Sequence, residues 1–359
     1  MLAFILKRLF YGSLVLFGVI TIVFLLFNVL PGDPARMMLG QRADIASIEA
    51  INKDLGRDKP LYTQYLNYLN DLSPFSVHNN VCKESTWYLN TENYDVYKRI
   101  SIGADKVIVF KKPYLRRSYQ SQRKVSEILA EAIPLTALLA FVAIAMATFL
   151  GIIIGIISAL NRNTVIDKAA LMLSVFGMSL PSFFAAILIA WIFAFLLAEY
   201  TGLSMFGSLY AIDDFGEGAY LDLKNLILPA ITLGIRPLAI VVELTRTSFL
   251  EVLSQDYIRT AKAKGLSRFR VISRHALKNA LNPIISAVSG WFASLMAGAV
   301  FVEYVFDWKG LGVVMVDGLE KFDFPVVMGT LLFISVVLVI INIFVDIIYG
   351  FLDPRVRFE

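Results

Sequence analysis

Long apolar runs dominate the chain, and six of them come close to or exceed the about 20 residues with which an α-helix crosses a ~30 Å hydrocarbon core. They cover roughly Leu9–Leu30, Ile133–Leu160, Ala169–Leu197, Leu226–Val242, Pro283–Phe306 and Pro325–Tyr349. The fourth is the weakest, because Arg236 lies inside it and Pro229 and Pro237 punctuate it. The first has a rival reading as a cleaved signal peptide. Its apolar run exceeds the ~7–15 residues of a signal core and no A-x-A-like site follows, so a retained anchor is expected.

Composition agrees with this pattern. Of 359 residues 57% are hydrophobic and 17% charged, with a mean hydropathy of +0.68; soluble domains carry about 45–50% and about 25%. The expected fold class is therefore all-α, a polytopic membrane protein with six transmembrane helices. One cysteine, Cys82, excludes an intrachain disulfide framework and a Cys-rich zinc site. The two histidines, His78 and His275, are far apart, so no metal site is expected.

The net charge of +4 matters less than its placement. Short loops on one side carry Lys7 and Arg8; Arg162 and Lys168; Arg246, Arg259, Lys262, Lys264, Arg268, Arg270, Arg274 and Lys278; and Arg355 and Arg357. Those on the other side carry only Lys224, Lys309 and Lys321. By the positive-inside bias, both termini and the long basic loop are expected in the cytoplasm. The segment 31–132 is also basic, but a loop beyond about 60 residues translocates largely regardless of charge.

That segment reads as an extracytoplasmic subdomain between the first two helices. Ile45, Ile48, Ile51 and Leu55 recur near helical spacing after a candidate cap at Asp44. Asp58 and Pro60 suit the start of a second short helix with Leu61, Tyr65, Tyr68 and Leu72 on one face. Its tyrosines fit either the headgroup level or packing against the outer ends of the spans. Between about 75 and 116 the composition turns to Asn, Tyr, Lys and Ser, with one β-like run at Val107–Phe110, which reads as an insertion. Cys82 there is either an inert thiol or a disulfide partner for another subunit. A second outer loop is acidic through Glu199, Asp213, Asp214, Glu217 and Asp222; it either meets a cationic cargo group or is simply solvated.

The most informative polar stretch is Q-D-Y-I-R-T-A-K-A-K-G-L-S-R-F-R-V-I-S-R-H-A-L-K-N-A-L-N-P, from Gln255 to Pro283. Asp256 or Ser254 suits the cap of a short helix starting near Tyr257. On it Ile258, Ala261 and Gly265 share a stripe, ringed by Arg259, Lys262, Lys264, Arg268 and Arg270. Small residues in the stripe permit close approach of a partner surface. A basic interfacial helix on anionic lipid is the alternative, though its buried face would carry larger apolar residues.

D-Y-x-R-T-A-x-A-K-G-L…H-A-L-x-N-A…P in this stretch resembles the cytoplasmic coupling loop of ABC importer permeases of the peptide/nickel family. Pro31-Gly-Asp-Pro-Ala35, Lys59-Pro-Leu-Tyr-x-Gln-Tyr-Leu66, Thr245-Arg-Thr-Ser248, Phe301-Val-Glu-Tyr-Val-Phe306 with Gly310-Leu-Gly312, Asp323-Phe-Pro325 and Asp353-Pro-Arg355 carry the same resemblance. Order and spacing suit the subunit with the long first outer loop. Glu243 and the segment 75–116 depart from the pattern.

The resemblance implies a multi-pass permease of the bacterial inner membrane. Its implied partners are a second homologous permease, two ABC ATPase subunits, an extracytoplasmic substrate-binding protein and membrane lipid, with no nucleic acid. It also implies an ATPase-docking role for Asp256, Tyr257, Ile258, Arg259, Ala261, Lys262, Lys264, Gly265, Leu266 and His275. For His275, packing within the loop is the alternative. The expected organisation is an N-terminal helix over 1–30, the outer subdomain over 31–132 and a five-helix core over 133–359 with its coupling loop at 246–282.

No G-x-x-x-x-G-K-[ST] occurs, so the chain lacks a P-loop and ATP and Mg are expected on the partner ATPases. No cofactor and no catalytic residue are expected on this chain. An ion-coupled carrier is the competing class, but it would need intramembrane acids and often internal repeats; a membrane enzyme would need a recognisable catalytic constellation. Arg236 and Glu243, two turns apart in the fourth span, are candidate pathway residues. The alternative is a structural ion pair of Glu243 with Arg236 or Arg246. Gly151 and Gly155 form a G-x-x-x-G suited to close helix crossing.

Overall fold

The structure is a computed structural model of the chain, and it describes residues 2–29, 49, 52, 58–81, 87–89, 93–102, 105–212 and 218–352. Apart from residues 49 and 52 the expected helix over 45–55 lies outside these residues, as do Cys82, the acids Asp213, Asp214 and Glu217, and the 31–35 and 353–355 motifs. The elements in chain order are α1 (Leu2–Val29), α2 (Leu61–Leu72), β1 (Phe75–Asn79), β2 (Val96–Ile102), β3 (Lys106–Lys111), α3 (Val125–Leu160), α4 (Val165–Ser179) and α5 (Ser182–Trp191). There follow α6 (Ala198–Thr201), β4 (Tyr210–Ile212), β5 (Ala219–Leu221), α7 (Ile227–Leu253), α8 (Asp256–Ala263), α9 (Arg268–Arg270), α10 (Leu277–Ala280), α11 (Asn282–Gly298), α12 (Val300–Phe306), α13 (Leu311–Glu320) and α14 (Phe324–Leu352).

Among the described residues four helices are long and apolar enough to cross a membrane, or up to six if each of two bent pairs counts as one span. The expected third span is such a pair: α4 and Ser182–Leu196 turn by 111° between Ser179 and Ser182. Pro181 explains the break, since the residue before a proline is pushed out of the helical region, and Leu180 is extended at φ −72°, ψ 128°. The expected fifth span bends by 57° between Met296 and Val300. The fourth runs beyond its expected end at Val242 to Leu253. Its polar continuation is held because Thr245 and Phe249 are buried and Arg246 has a partner.

The described residues divide into two compact units, one of 1–13, 133–313 and 334–359 and the other of 14–132 and 314–333. The first holds a core of Leu139, Ala143, Ala186, Leu228, Val302 and Trp308 with their neighbours. In the second, Tyr65, Tyr68 and Leu72 of α2 pack against Val23 and Phe24 of α1, and the Tyr65 hydroxyl lies 2.7 Å from Thr21 Oγ1. For these tyrosines packing is the observed role. The expected β-run is strand β3, central in an antiparallel sheet of order β1-β3-β2, so a small sheet accompanies the helices.

A polar hub forms around the buried Asp71 and Lys111. The Tyr94 hydroxyl donates to Asp71 Oδ1 at 2.7 Å, Arg116 Nε donates to Asp71 Oδ2 at 3.2 Å, and Lys111 Nζ donates to the Asp71 carbonyl. Lys111 also sits 4.8 Å from the Tyr94 ring centre, and burial pulls its pKa down to about 8. His78 is buried beside it, with Nε2 2.9 Å from Ser76 Oγ. Burial first, and the Lys111 charge second, depress the His78 pKa. The unfolded chain therefore takes up this proton near pH 6.5 while the folded segment resists it. The stabilisation is complete above that pH and is lost as pH falls through the depressed value. Amide-exchange protection of β1 and β3, corrected for intrinsic rates, should fall below about pH 6.5, and H78F should remove that pH dependence.

Candidate functional site

The basic loop folds as the helix α8, a turn, and a second helical segment from Arg268 to Ala280 with a π-helical middle at Val271–Ala276. Asp256 is the first helical residue rather than the cap. Gln255 occupies the cap without a side-chain hydrogen bond, and Ser254 Oγ instead donates to the Glu251 carbonyl at 2.7 Å. At the other end Gly265 adopts φ +73°, a left-handed turn that terminates the helix as glycine does at this position.

Of the three stripe residues Ile258 and Ala261 face inward, while Gly265 is exposed. Ile258 and Ala261 are buried in the chain's own cluster with Ala159, Phe249, Val271 and Ala276. This cluster covers one side of the amphipathic helix, so Ile258 and Ala261 anchor the loop on the chain's own core. Tyr257, Arg259, Lys262, Lys264 and Gly265 are exposed, as is Phe269 at 80%. Leu266 and His275 are half-buried. Asn279 Nδ2 donates to the Tyr257 hydroxyl at 2.8 Å, tying α8 to α10. Between α8 and the ends of α3 and α7 a cavity of about 390 Å³ remains, with Leu160, Leu253 and Ile272 in its walls and Lys262 and Arg268 at its charged side.

Just above the loop, Arg246 makes a two-pronged bond to Asp167, Nε to Oδ1 at 2.6 Å and Nη2 to Oδ2 at 2.8 Å. Asp167 also accepts from Ser158 Oγ at 2.6 Å and from the Asn163 N–H at 2.8 Å. One buried carboxylate thus joins the end of α3, the start of α4 and α7. This answers the pairing left open by the sequence: Arg246 is taken by Asp167, and among the described residues no ion pair joins Glu243 to Arg236 or Arg246. Arg236 and Glu243 are both exposed within the chain. Arg236 lines a cavity of about 150 Å³ at the break between α4 and α5.

Glu303 is fully buried. Thr136 Oγ1 donates to Oε1 at 2.7 Å and the Gly312 N–H donates to Oε2 at 2.6 Å, while Leu311 N–H donates to Thr136 Oγ1 at 2.8 Å. A Cβ at Gly310 would lie 2.5 Å from the carboxylate, and one at Gly312 2.5 Å from Val300 Cα. The two glycines exist to let this acid meet the start of α13. Asp323 serves similarly elsewhere, accepting from the Ser118 hydroxyl and from the Tyr119 N–H at 2.9 Å.

With this geometry in view, residues 151–358 match the family described as "Binding-protein-dependent transport system inner membrane component", and residues 1–86 match "Binding-prot-dependent transport system membrane comp, N-term". The chain belongs to this family. It is a multi-pass inner-membrane permease, and the choice between permease and ion-coupled carrier falls to the permease. Over its whole length the permease is 32% identical to the whole of the di/tripeptide transport system permease protein DppB of Pseudomonas aeruginosa. It is 34% identical to the whole of a putative peptide transport system permease protein of Brucella abortus. It shares 32% identity with the dipeptide transport system permease protein DppB of Escherichia coli K12, over 99% of each chain. Among solved structures it shares its fold with a chain of the inward-facing MetNI methionine ABC transporter. The TM-score is 0.50 at 17% identity, over 64% of the permease and 97% of that chain.

Proposed function

We propose that this permease forms half of the translocation pathway of an ABC importer for short peptides. An extracytoplasmic binding protein delivers the cargo, a second homologous permease completes the pathway, and two ABC ATPase subunits bind ATP and Mg and supply the power. The basic segment 246–282 lies in the cytoplasm in this reading, as do both termini. The segment 31–132 lies outside between the helix 1–30 and the core 133–359. The observation that carries the proposal is the coupling loop: an amphipathic helix anchored on the chain's own core by Ile258 and Ala261, with an uncovered cationic face. The full-length likeness to peptide permeases supports the cargo class.

In this reading the ATPase contacts Tyr257, Arg259, Lys262, Lys264 and Phe269, with Asp256 and Gly265 at the two ends of the helix. Ile258, Ala261, Leu266 and His275 serve from within. Closure of the ATPase dimer would push α8, and the Asp167–Arg246 clamp would carry the push into α4 and α7. Reversing Arg259→Glu and Lys264→Glu together should cut recovered ATPase at least tenfold while the permease still reaches the membrane. I258D should instead deplete the permease itself. Unchanged ATPase recovery and uptake in the double variant would sink the docking role.

A further inference from the structure

Two arginines ten positions apart on α7 are used in opposite ways. Arg246 has its guanidinium engaged by Asp167. Arg236 lies within the apolar stretch Leu223–Leu253, and among the described residues its one hydrogen bond is a long one, Nη2 to the Met178 carbonyl at 3.5 Å. A guanidinium offers five N–H donors in a planar fork, so most of its capacity is unspent. An ionisable group inside a span is retained for a cavity, a partner or a passing ligand, and here a cavity is present.

We infer that the cavity at the break between α4 and α5 receives the terminal carboxylate of cargo in transit, with Arg236 as its counter-ion. The inference rests on the proposed peptide-importer function and goes beyond it by assigning one end of the cargo to one residue. The cavity, about 150 Å³, is lined by Leu180, Ser182, Thr232, Arg236, Trp291 and Ser294. Its chemistry is mixed in the way a carboxylate-bearing residue requires. The arginine fork matches a carboxylate with two parallel hydrogen bonds, the hydroxyls of Ser182 and Ser294 add polar partners, and Trp291 with the leucines forms an apolar wall. A volume of this order holds a benzene-sized group, so it accepts one terminal residue while the rest of a peptide stays outside it. Ser182 opens α5, whose first-turn N–H groups add positive potential on the same side. This is a general use of interrupted membrane helices.

The assay is uptake into proteoliposomes holding the complete importer with its binding protein. Dialanine and dialanine amide are supplied at concentrations that saturate the binding protein, its affinity for each being measured separately. Wild type should take up the free acid at least tenfold faster than the amide. R236Q should lose at least tenfold for the acid and less than twofold for the amide, and R236K, which keeps the charge without the fork, should fall between. Because the binding protein is common to all arms, its own preference cancels in the ratio between variants.

An acid-to-amide ratio in R236Q equal to that of wild type overturns the inference, and would fit an arginine engaged by lipid phosphate instead. If R236Q fails to assemble with the ATPases, R236K decides alone: a ratio unchanged from wild type overturns it, a ratio reduced at least twofold supports it. Wild-type complex that transports neither compound, while its binding protein holds both, would instead bring down the peptide-importer reading on which the inference depends.

Discussion

Arg246→Met is expected to destabilise the permease by about 3–5 kcal/mol, the usual consequence of removing one partner from a buried ion pair. The size follows from what is left behind. Asp167 is 2% exposed and would keep its bonds from Ser158 and Asn163, but it would lose the only cation paired with it among the described residues. Asp167→Asn is expected to be milder, since an amide accepts from one arginine prong and carries no net charge. Replacing both partners, as D167M with R246M, should recover much of the loss, because a well-packed apolar pair of similar volume is often neutral. The unfolding midpoint of detergent-purified protein for the two single variants and the double reports the coupling directly. A loss below about 1 kcal/mol in R246M, the range of solvent-screened surface pairs, would refute the clamp. The recovered double variant is also informative about function. If the pair transmits movement from α8, it should assemble with ATPases yet show uptake reduced relative to ATP hydrolysis.

The span pattern was legible because a bilayer forces one solution on the backbone: every N–H and C=O must be bonded internally, so apolar length alone identifies helices. Hydropathy does not register direction, so it passed through Leu180-Pro181 as if the helix continued. The proline was the available signal, and its restriction on the preceding residue is what turns the chain. The loop helix was legible in existence and in the grouping of Ile258 with Ala261, because periodicity sets which side chains share a face. Which face would be covered depends on Phe249 of α7 and on Val271 and Ala276 in the segment that follows the turn, and no local pattern reveals that. Asp167 is the clearest miss. Its partner is 79 positions away, and a lone acid at the start of an apolar run looks like an ordinary first-turn residue. Glu303 stands in the apolar run 283–306 with no local pattern to mark its partner. Its purpose needs Thr136, 167 positions earlier.

Gly155→Leu is expected to prevent accumulation of folded permease, and Gly155→Ala to destabilise it by about 1–3 kcal/mol, as overpacking of a tight contact does. The weak G-x-x-x-G of the second span proves to be a helix crossing. A Cβ at Gly155 would lie 2.6 Å from Thr245 Cβ and 2.8 Å from the Val242 carbonyl oxygen, and one at Gly151 2.7 Å from Val241 Cγ1. At 155 part of the obstacle is backbone of α7, which cannot rotate aside as a side chain does, so α3 itself must move outward. Contact of this kind drives helix association in lipid, where no hydrophobic effect favours one apolar partner over another. The displacement would propagate, because Ala159, one turn further along α3, is part of the cluster that seats Ile258 and Ala261. G155A should therefore show two changes together, a lower unfolding midpoint and weaker ATPase recovery. G290A provides the control, since among the described residues nothing lies within 4 Å of a Cβ there, and it should leave both measurements unchanged. Equal midpoints for G155A and G290A would show that α3 and α7 do not cross at Gly155.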